Sequence, residues 1–208
     1  MTPSQILTRM GYLLDDPDGD TYTSTVKLGS INTAYEVVCG VAHSGLLDNL
    51  HGSKDQKVAG TAGFTLPSDY LRYVSSKLRL TSPETWITKI DVDILAIKEN
   101  NSFTSGTTLD PHCYIWSDTY VLIINSDDYN TNNASVRLFY IKKPTTVTAS
   151  TGNFEINESL HEPMMKLALS DLKITYKYGD VQQSVKEYED ARKEVLTISQ
   201  RYATGELT

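Results

Sequence analysis

The stretch Asp15-Asp16-Pro17-Asp18-Gly19-Asp20 is the densest set of possible ligand groups in the chain. Asp16, Asp18 and Asp20 alternate in a way that can bring carboxylates round a calcium ion. An EF-hand loop needs glycine at its sixth position and glutamate at its twelfth. Counted from Asp16, those positions hold Thr21 and Lys27, and the glycine falls fourth. The segment therefore reads first as a helix-to-helix turn, with a cation site as the competing reading. His43, His51, His112 and His161 show no ligand spacing, and Cys113 has no CxxC partner. His112 and Cys113 are neighbours in a strand pattern, which sends their side chains to opposite faces and separates a thiol from its base. Gly60-Thr61-Ala62-Gly63 lacks the lysine and following helix of a phosphate loop. His43-Ser44-Gly45 lacks the strand-turn-helix setting of a nucleophile elbow. No catalytic residue, cofactor or metal is assigned, and an enzyme is not expected.

Composition narrows the classes further. A chain of 208 residues can bury a real core, and its formal net charge of −7 argues against a dedicated nucleic-acid binder. Cys39 and Cys113 lie far apart in apolar patterns, so both read as small buried residues of a reducing compartment. Met1–Gln5 lacks the basic and apolar regions of a signal peptide, and the longest apolar run, Tyr120–Ile124, has strand length. Thirteen tyrosines against four phenylalanines favour contact surfaces, because tyrosine combines apolar area with a polar tip.

The elements that must position these residues fall into two kinds. Thr2-Pro3-Ser4-Gln5 has capping-box spacing, and Ile6, Leu7, Met10, Leu13 and Leu14 make one apolar face of a short helix. A second helix is expected from Ser24 to Leu47, with Leu28, Ile31, Tyr35, Val38, Ala42 and Gly45 in its stripe. Between them and the next helical pattern lie short strands: Tyr70–Leu80, Trp86–Ile90, a hairpin of His112–Trp116 with Tyr120–Asn125, and Ser135–Lys143. Aromatics on both faces of Ser135–Lys143 predict a central strand, and Asp91–Ile97 suits a helical turn. Ser159-Leu160-His161-Glu162 has capping-box spacing for a third helix, and Gly179-Asp180 separates it from an amphipathic fourth, Val181–Tyr202. The expected architecture is α+β. Residues 1–48 and 155–208 form a discontinuous four-helix bundle, and residues 49–154 form a β-rich insert.

Three segments in this order resemble the head-to-tail adaptors, or tail tubular proteins, of short-tailed phages: Phe64-Thr65-Leu66-Pro67-Ser68-Asp69-Tyr70-Leu71-Arg72, Val136-Arg137-Leu138-Phe139-Tyr140-Ile141-Lys142-Lys143-Pro144, and Glu158-Ser159-Leu160-His161-Glu162. Ile31-Asn32-Thr33-Ala34 in a long second helix matches the same layout. The resemblance implies a structural virion protein of the neck, assembled in the host cytoplasm into a homo-oligomeric ring, typically a dodecamer. Its partners would be the portal protein and the tail nozzle or tail tube, with the genome passing through the lumen, no membrane and no cofactor. Arg192, Arg201, Tyr202 and Leu207 are the interface candidates, and Ala203–Thr208 is expected to order on docking to the portal. The other reading of the insert is a carbohydrate- or host-surface-binding module presenting an aromatic platform.

Overall fold

The computed structural model describes residues 1–57, 63–79, 84–91, 106–107, 109–123, 135–148 and 153–206. Helix α1 (Pro3–Leu13) starts on the expected capping box. The Gln5 N–H donates to the Thr2 hydroxyl at 3.3 Å, and the Thr2 N–H donates to the Gln5 side chain at 2.8 Å. Pro3 sits where a missing N–H costs nothing. Ile6, Met10 and Leu14 are buried, whereas Leu13, expected on the same face, is half exposed. Asp15 stops the helix by adopting a φ of 53°.

Helix α2 (Ser24–Val41) begins at Thr23, whose hydroxyl accepts the Val26 N–H at 3.4 Å. It ends six residues short of the expected Leu47. Ala42 is extended, His43 Nδ1 accepts the Gly45 N–H at 3.1 Å, and two 3-10 turns come next. The apolar stripe nevertheless continues: Ala42, Leu46, Leu47 and Leu50 are all buried. Periodicity here reported burial rather than helicity, because a local side-chain bond competes with the next helical turn.

Helix α3 (His161–Thr175) is preceded by a 3-10 turn, Glu158–Leu160. The predicted capping box at Ser159 does not form. Asn157 caps instead, its Oδ1 accepting from the Ser159 N–H at 3.0 Å and the Ser159 hydroxyl at 2.9 Å, so Ser159 lies inside the turn rather than at its cap. Helix α4 (Val181–Ala203) is capped by Asp180, which accepts from the Gln182 and Gln183 N–H groups. Lys166 meets Glu194 at 2.8 Å and Lys173 meets Glu187 at 3.5 Å. Rising numbers on α3 pair with falling numbers on α4, so the two run antiparallel. α3 packs against both α2 and α4, and α1 touches α2 and α3.

The segment after Lys143 is fastened to α2 by polar bonds. Asn32 accepts the Val147 N–H at 2.8 Å and donates to the Val147 carbonyl at 3.1 Å. The Tyr35 hydroxyl accepts the Glu155 N–H at 2.6 Å, and its ring meets Phe154 edge-on. Backbone groups of an irregular stretch are thereby satisfied by side chains of α2.

Among the described residues, eight strands make two four-stranded sheets: β1 (His51–Lys57), β2 (Gly63–Thr65), β3 (Tyr70–Arg79), β4 (Thr85–Trp86), β5 (Thr88–Lys89), β6 (His112–Trp116), β7 (Thr119–Ile123) and β8 (Ser135–Lys142). Their orders are β1-β8-β3-β4 and β2-β7-β6-β5. β8 is central, as expected, and buries Val136, Leu138 and Tyr140 on alternate positions. The β6–β7 hairpin turns on Ser117-Asp118 alone. Thr119, expected in the turn, pairs with Trp116 because Ser117 takes the positive φ that a two-residue turn needs. Phe64, Cys113, Tyr120 and Leu122 from one sheet and Leu78, Val136, Leu138 and Tyr140 from the other fill one core.

The class is mixed α+β. The chain divides into two compact units, a helical one of Met1–His51 with Lys143–Thr208 and a β one of Gly52–Lys142. The turn expected over Asp91–Ile97 lies, past Asp91, outside the described residues, as does Leu207.

Candidate interaction surfaces

Helix α4 carries three of the four expected interface residues, and the structure separates them. Arg192 and Arg201 are nine residues apart, which places them about 180° apart round the helix. Arg201 is exposed and lies 3.8 Å from Glu206. Tyr202 is half-buried and serves the fold: its ring is tilted against His43 at 5.3 Å and occupies the space that a Cβ on Gly45 would take. The neighbouring Ser199 hydroxyl accepts the His43 N–H at 3.0 Å. The end of α4 is thus fastened to the turn that terminates α2.

α4 buries only Ser184, Ala191, Val195 and Ser199. Val185, expected in the apolar stripe, is 46% exposed, and Leu196 is 43% exposed. Val185, Arg192 and Leu196 share one flank at helical spacing, with Lys186 and Lys193 beside them on the outward face. The buried stripe is thus shifted toward small side chains, and this flank stays exposed.

The aspartate turn is organised round Asp16 rather than round a common centre for three carboxylates. Asp16 is buried. Its carboxylate accepts the Thr21 N–H at 3.0 Å and the Tyr22 N–H at 2.9 Å, and meets Lys27 Nζ at 3.0 Å. Lys27, itself buried, also donates to the Asp16 carbonyl at 2.9 Å. The Thr21 N–H bond, with Lys27 and the Tyr22 N–H, holds the Asp16 carboxyl down to about 2 against the opposing effect of burial. Asp15, Asp18 and Asp20 face solvent. Among the described residues no group of His, Cys, Asp or Glu is arranged to hold a metal ion.

An aromatic cluster adjoins this turn. Tyr22 meets Tyr176 edge-on at 5.5 Å and Tyr178 at 6.0 Å. The Tyr178 hydroxyl donates to the Leu14 carbonyl at 3.2 Å. Tyr176 and Tyr178 are 52% and 39% exposed, and Tyr12 and Leu13 at the end of α1 are 71% and 50% exposed. Four large side chains with apolar area are thus exposed round one end of the helical unit. Only the tyrosine surplus hinted at this cluster, and it pointed equally to the insert.

In the β unit, Ser76, Cys113 and Tyr120 are fully buried. Ser76 Oγ lies 2.8 Å from the Tyr120 hydroxyl and 3.1 Å from the Tyr73 hydroxyl. Burial pushes the Cys113 thiol up and the Tyr120 hydroxyl far above its ordinary range, so neither is poised as a nucleophile. His112 is buried as well, with Nε2 3.6 Å from Asp110. The exposed side of the β1-β8-β3-β4 sheet carries a charge network. Asp55 takes two bonds from Arg137, at 2.7 and 2.9 Å, and one from Arg79 at 3.2 Å. Glu84 pairs with Arg79 at 2.7 Å, and Lys77 Nζ lies 4.2 Å from the centre of the exposed Trp86 ring.

Both units therefore present surfaces for contact and, among the described residues, no assembled catalytic constellation. The chain matches the family model described as SU10 adaptor protein over residues 1–206. The chain belongs to the SU10 adaptor protein family. No curated protein matches it. This is a phage adaptor family of structural virion proteins, which are normally not enzymes. Membership implies a place in the virion neck and interaction with other virion components. No described helix is long and apolar enough to cross a membrane. In the helical unit, α4 and the tyrosine–aspartate end carry exposed apolar side chains, and Tyr202 packs on His43 and against Gly45.

Proposed function

We propose that this chain is a ring-forming head-to-tail adaptor that links the portal to the tail nozzle of a short-tailed phage and leaves a channel for the genome. The observation that carries this reading is the family match over nearly the whole chain. Helices from both ends act as one four-helix bundle and form the ring body, in a dodecameric ring assembled in the host cytoplasm. The β unit contacts tail components. Arg192 and Arg201 serve different neighbours because they lie on opposite flanks of α4, and Leu207 with the rest of the tail engages the portal. The net charge of −7 suits a lumen through which DNA slides, since phosphate is held by basic rather than acidic surfaces.

Negative-stain electron microscopy of the chain mixed with purified portal tests this directly. A ring seated on the portal is the expected result. Particles that stay monomeric with portal present, with no ring in any class average, overturn the reading.

A further inference from the structure

We propose that the tyrosine–aspartate end of the helical unit docks on the Val185–Leu196 flank of helix α4 in a second copy of the chain. The inference rests on the ring reading and names the contact between neighbours. The end presents Tyr12, Leu13, Tyr176 and Tyr178, between 39% and 71% exposed. Such side chains bring large apolar area at low entropic cost, and aromatic residues are enriched in interface centres. The rim is acidic: Asp15, Asp18 and Asp20 are exposed and make no ion pair among the described residues. Lys177, exposed in the α3–α4 turn, offsets only part of that charge.

The α4 flank has the complementary character. Val185 and Leu196 are exposed apolar side chains, and Arg192 lies between them with no ion pair among the described residues. Lys186 and Lys193 add positive charge on the outward face. Glu189 opposes it, and Lys193 is shared with Asp190 across an exposed 3.4 Å. Lys186, Arg192 and Lys193 against Glu189 and Asp190 leave this face with a net charge of +1, so an apolar centre with an acidic rim meets an apolar pair with a weakly positive rim, a complementarity that steers encounter and favours register. The two surfaces differ, so a copy offering one still has the other unused. Such a heterologous contact repeats head to tail and closes into a ring when the rotation permits.

Two variants that each add one cysteine test the contact, Tyr176→Cys and Leu196→Cys. Both positions are about half exposed, and the native Cys39 and Cys113 are buried. Within one chain the two sites are about 18 Å apart along the antiparallel helix pair, beyond disulfide reach. Oxidation of the mixture at high protein concentration is expected to give a covalent dimer that neither variant forms alone. Adding Arg192→Glu and Lys193→Glu to the Leu196→Cys chain should cut the yield about tenfold. Adding Asp15→Lys and Asp18→Lys to the Tyr176→Cys partner should restore it. Circular dichroism of each variant confirms folding, and Leu13→Cys with Val185→Cys is the second pair. A mixture that cross-links no better than its components, for both pairs, overturns the contact. So does a ring on the portal that survives Arg192→Glu/Lys193→Glu unchanged, an outcome that leaves the ring reading standing. A cross-linked dimer without any ring on the portal supports the contact and overturns the ring.

Discussion

The two units hold their aspartates in opposite ways. In the helical unit, Asp16 is inside, between two backbone N–H groups and the buried Lys27. In the β unit, Asp55 lies on an exposed sheet face, between the guanidinium groups of Arg137 and Arg79. Both carboxyls sit below the ordinary range, Asp16 through the Thr21 N–H first and Asp55 through Arg137 first. They differ in their response to losing the partner. A buried charge stripped of its partner has no water to turn to, whereas an exposed one is solvated at once. The first pair is part of how α1 passes into α2; the second decorates a sheet already specified by its core.

Substitution of the cations separates the two cases most directly. Lys27→Met should lower the urea midpoint more than any other change named here, and Asp16→Asn in the same chain should recover part of the loss. Arg137→Met should move it little. Equal losses from the two single variants would show that the helical pair is no more structural than the surface network.

Gly45→Ala comes next. Its Cβ enters the space of the Tyr202 ring and should cost about 1–3 kcal/mol. Tyr202→Ala in the same chain should return part of it, read by chemical denaturation. An unaffected Gly45→Ala variant would mean that Tyr202 leaves its seat freely and is available as a contact after all.

In the β unit, Ser76→Ala leaves the buried Tyr120 hydroxyl without its 2.8 Å partner and should cost about 1–3 kcal/mol. Ser76→Ala with Tyr120→Phe should cost less than the sum of the two single changes. Additivity would exclude the bond as a link between the sheets.

The smallest effect expected is a pH and salt dependence. Asp16 has a lowered folded-state value, so its contribution is present above its unfolded value of 3.8 and is lost as pH falls from there through about 2. Asp55 acts with the same sign, but its exposed partners are screened. Acid titration of stability in low and high salt should therefore show a helical-unit contribution that salt leaves in place and a β-unit contribution that salt removes.

Much of the scaffold was legible because its causes are local. Thr2 and Gln5 lie three residues apart and form their capping box. β8 alternates because every second side chain meets the same core. The Ser117-Asp118 turn and the Gly179-Asp180 break arise from residues that accept or enforce turn geometry. The errors came where two local signals competed. Asn157 took the cap position and left Ser159 inside the turn, and His43 bonded to Gly45 and ended α2 early while burial continued. The candidate surfaces were the least legible. Tyr202 falls at helical spacing on the same side as the buried Val195 and Ser199, yet only the tertiary structure shows the turn at Gly45 that its half-buried ring packs against.

The order of residues was enough to set the α+β class, the capped start of α1, the central strand β8 and the acidic, tyrosine-rich character of the chain. These depend on period, capping chemistry and composition, each readable within a few residues. Tertiary packing alone decided that Tyr22 stands between Tyr176 and Tyr178, that Asp16 folds inward on Lys27, and that α4 buries small side chains while Val185, Arg192 and Leu196 remain outside. Those outcomes depend on which distant segments meet. That is set by the summed packing of both chain ends, which no local pattern encodes.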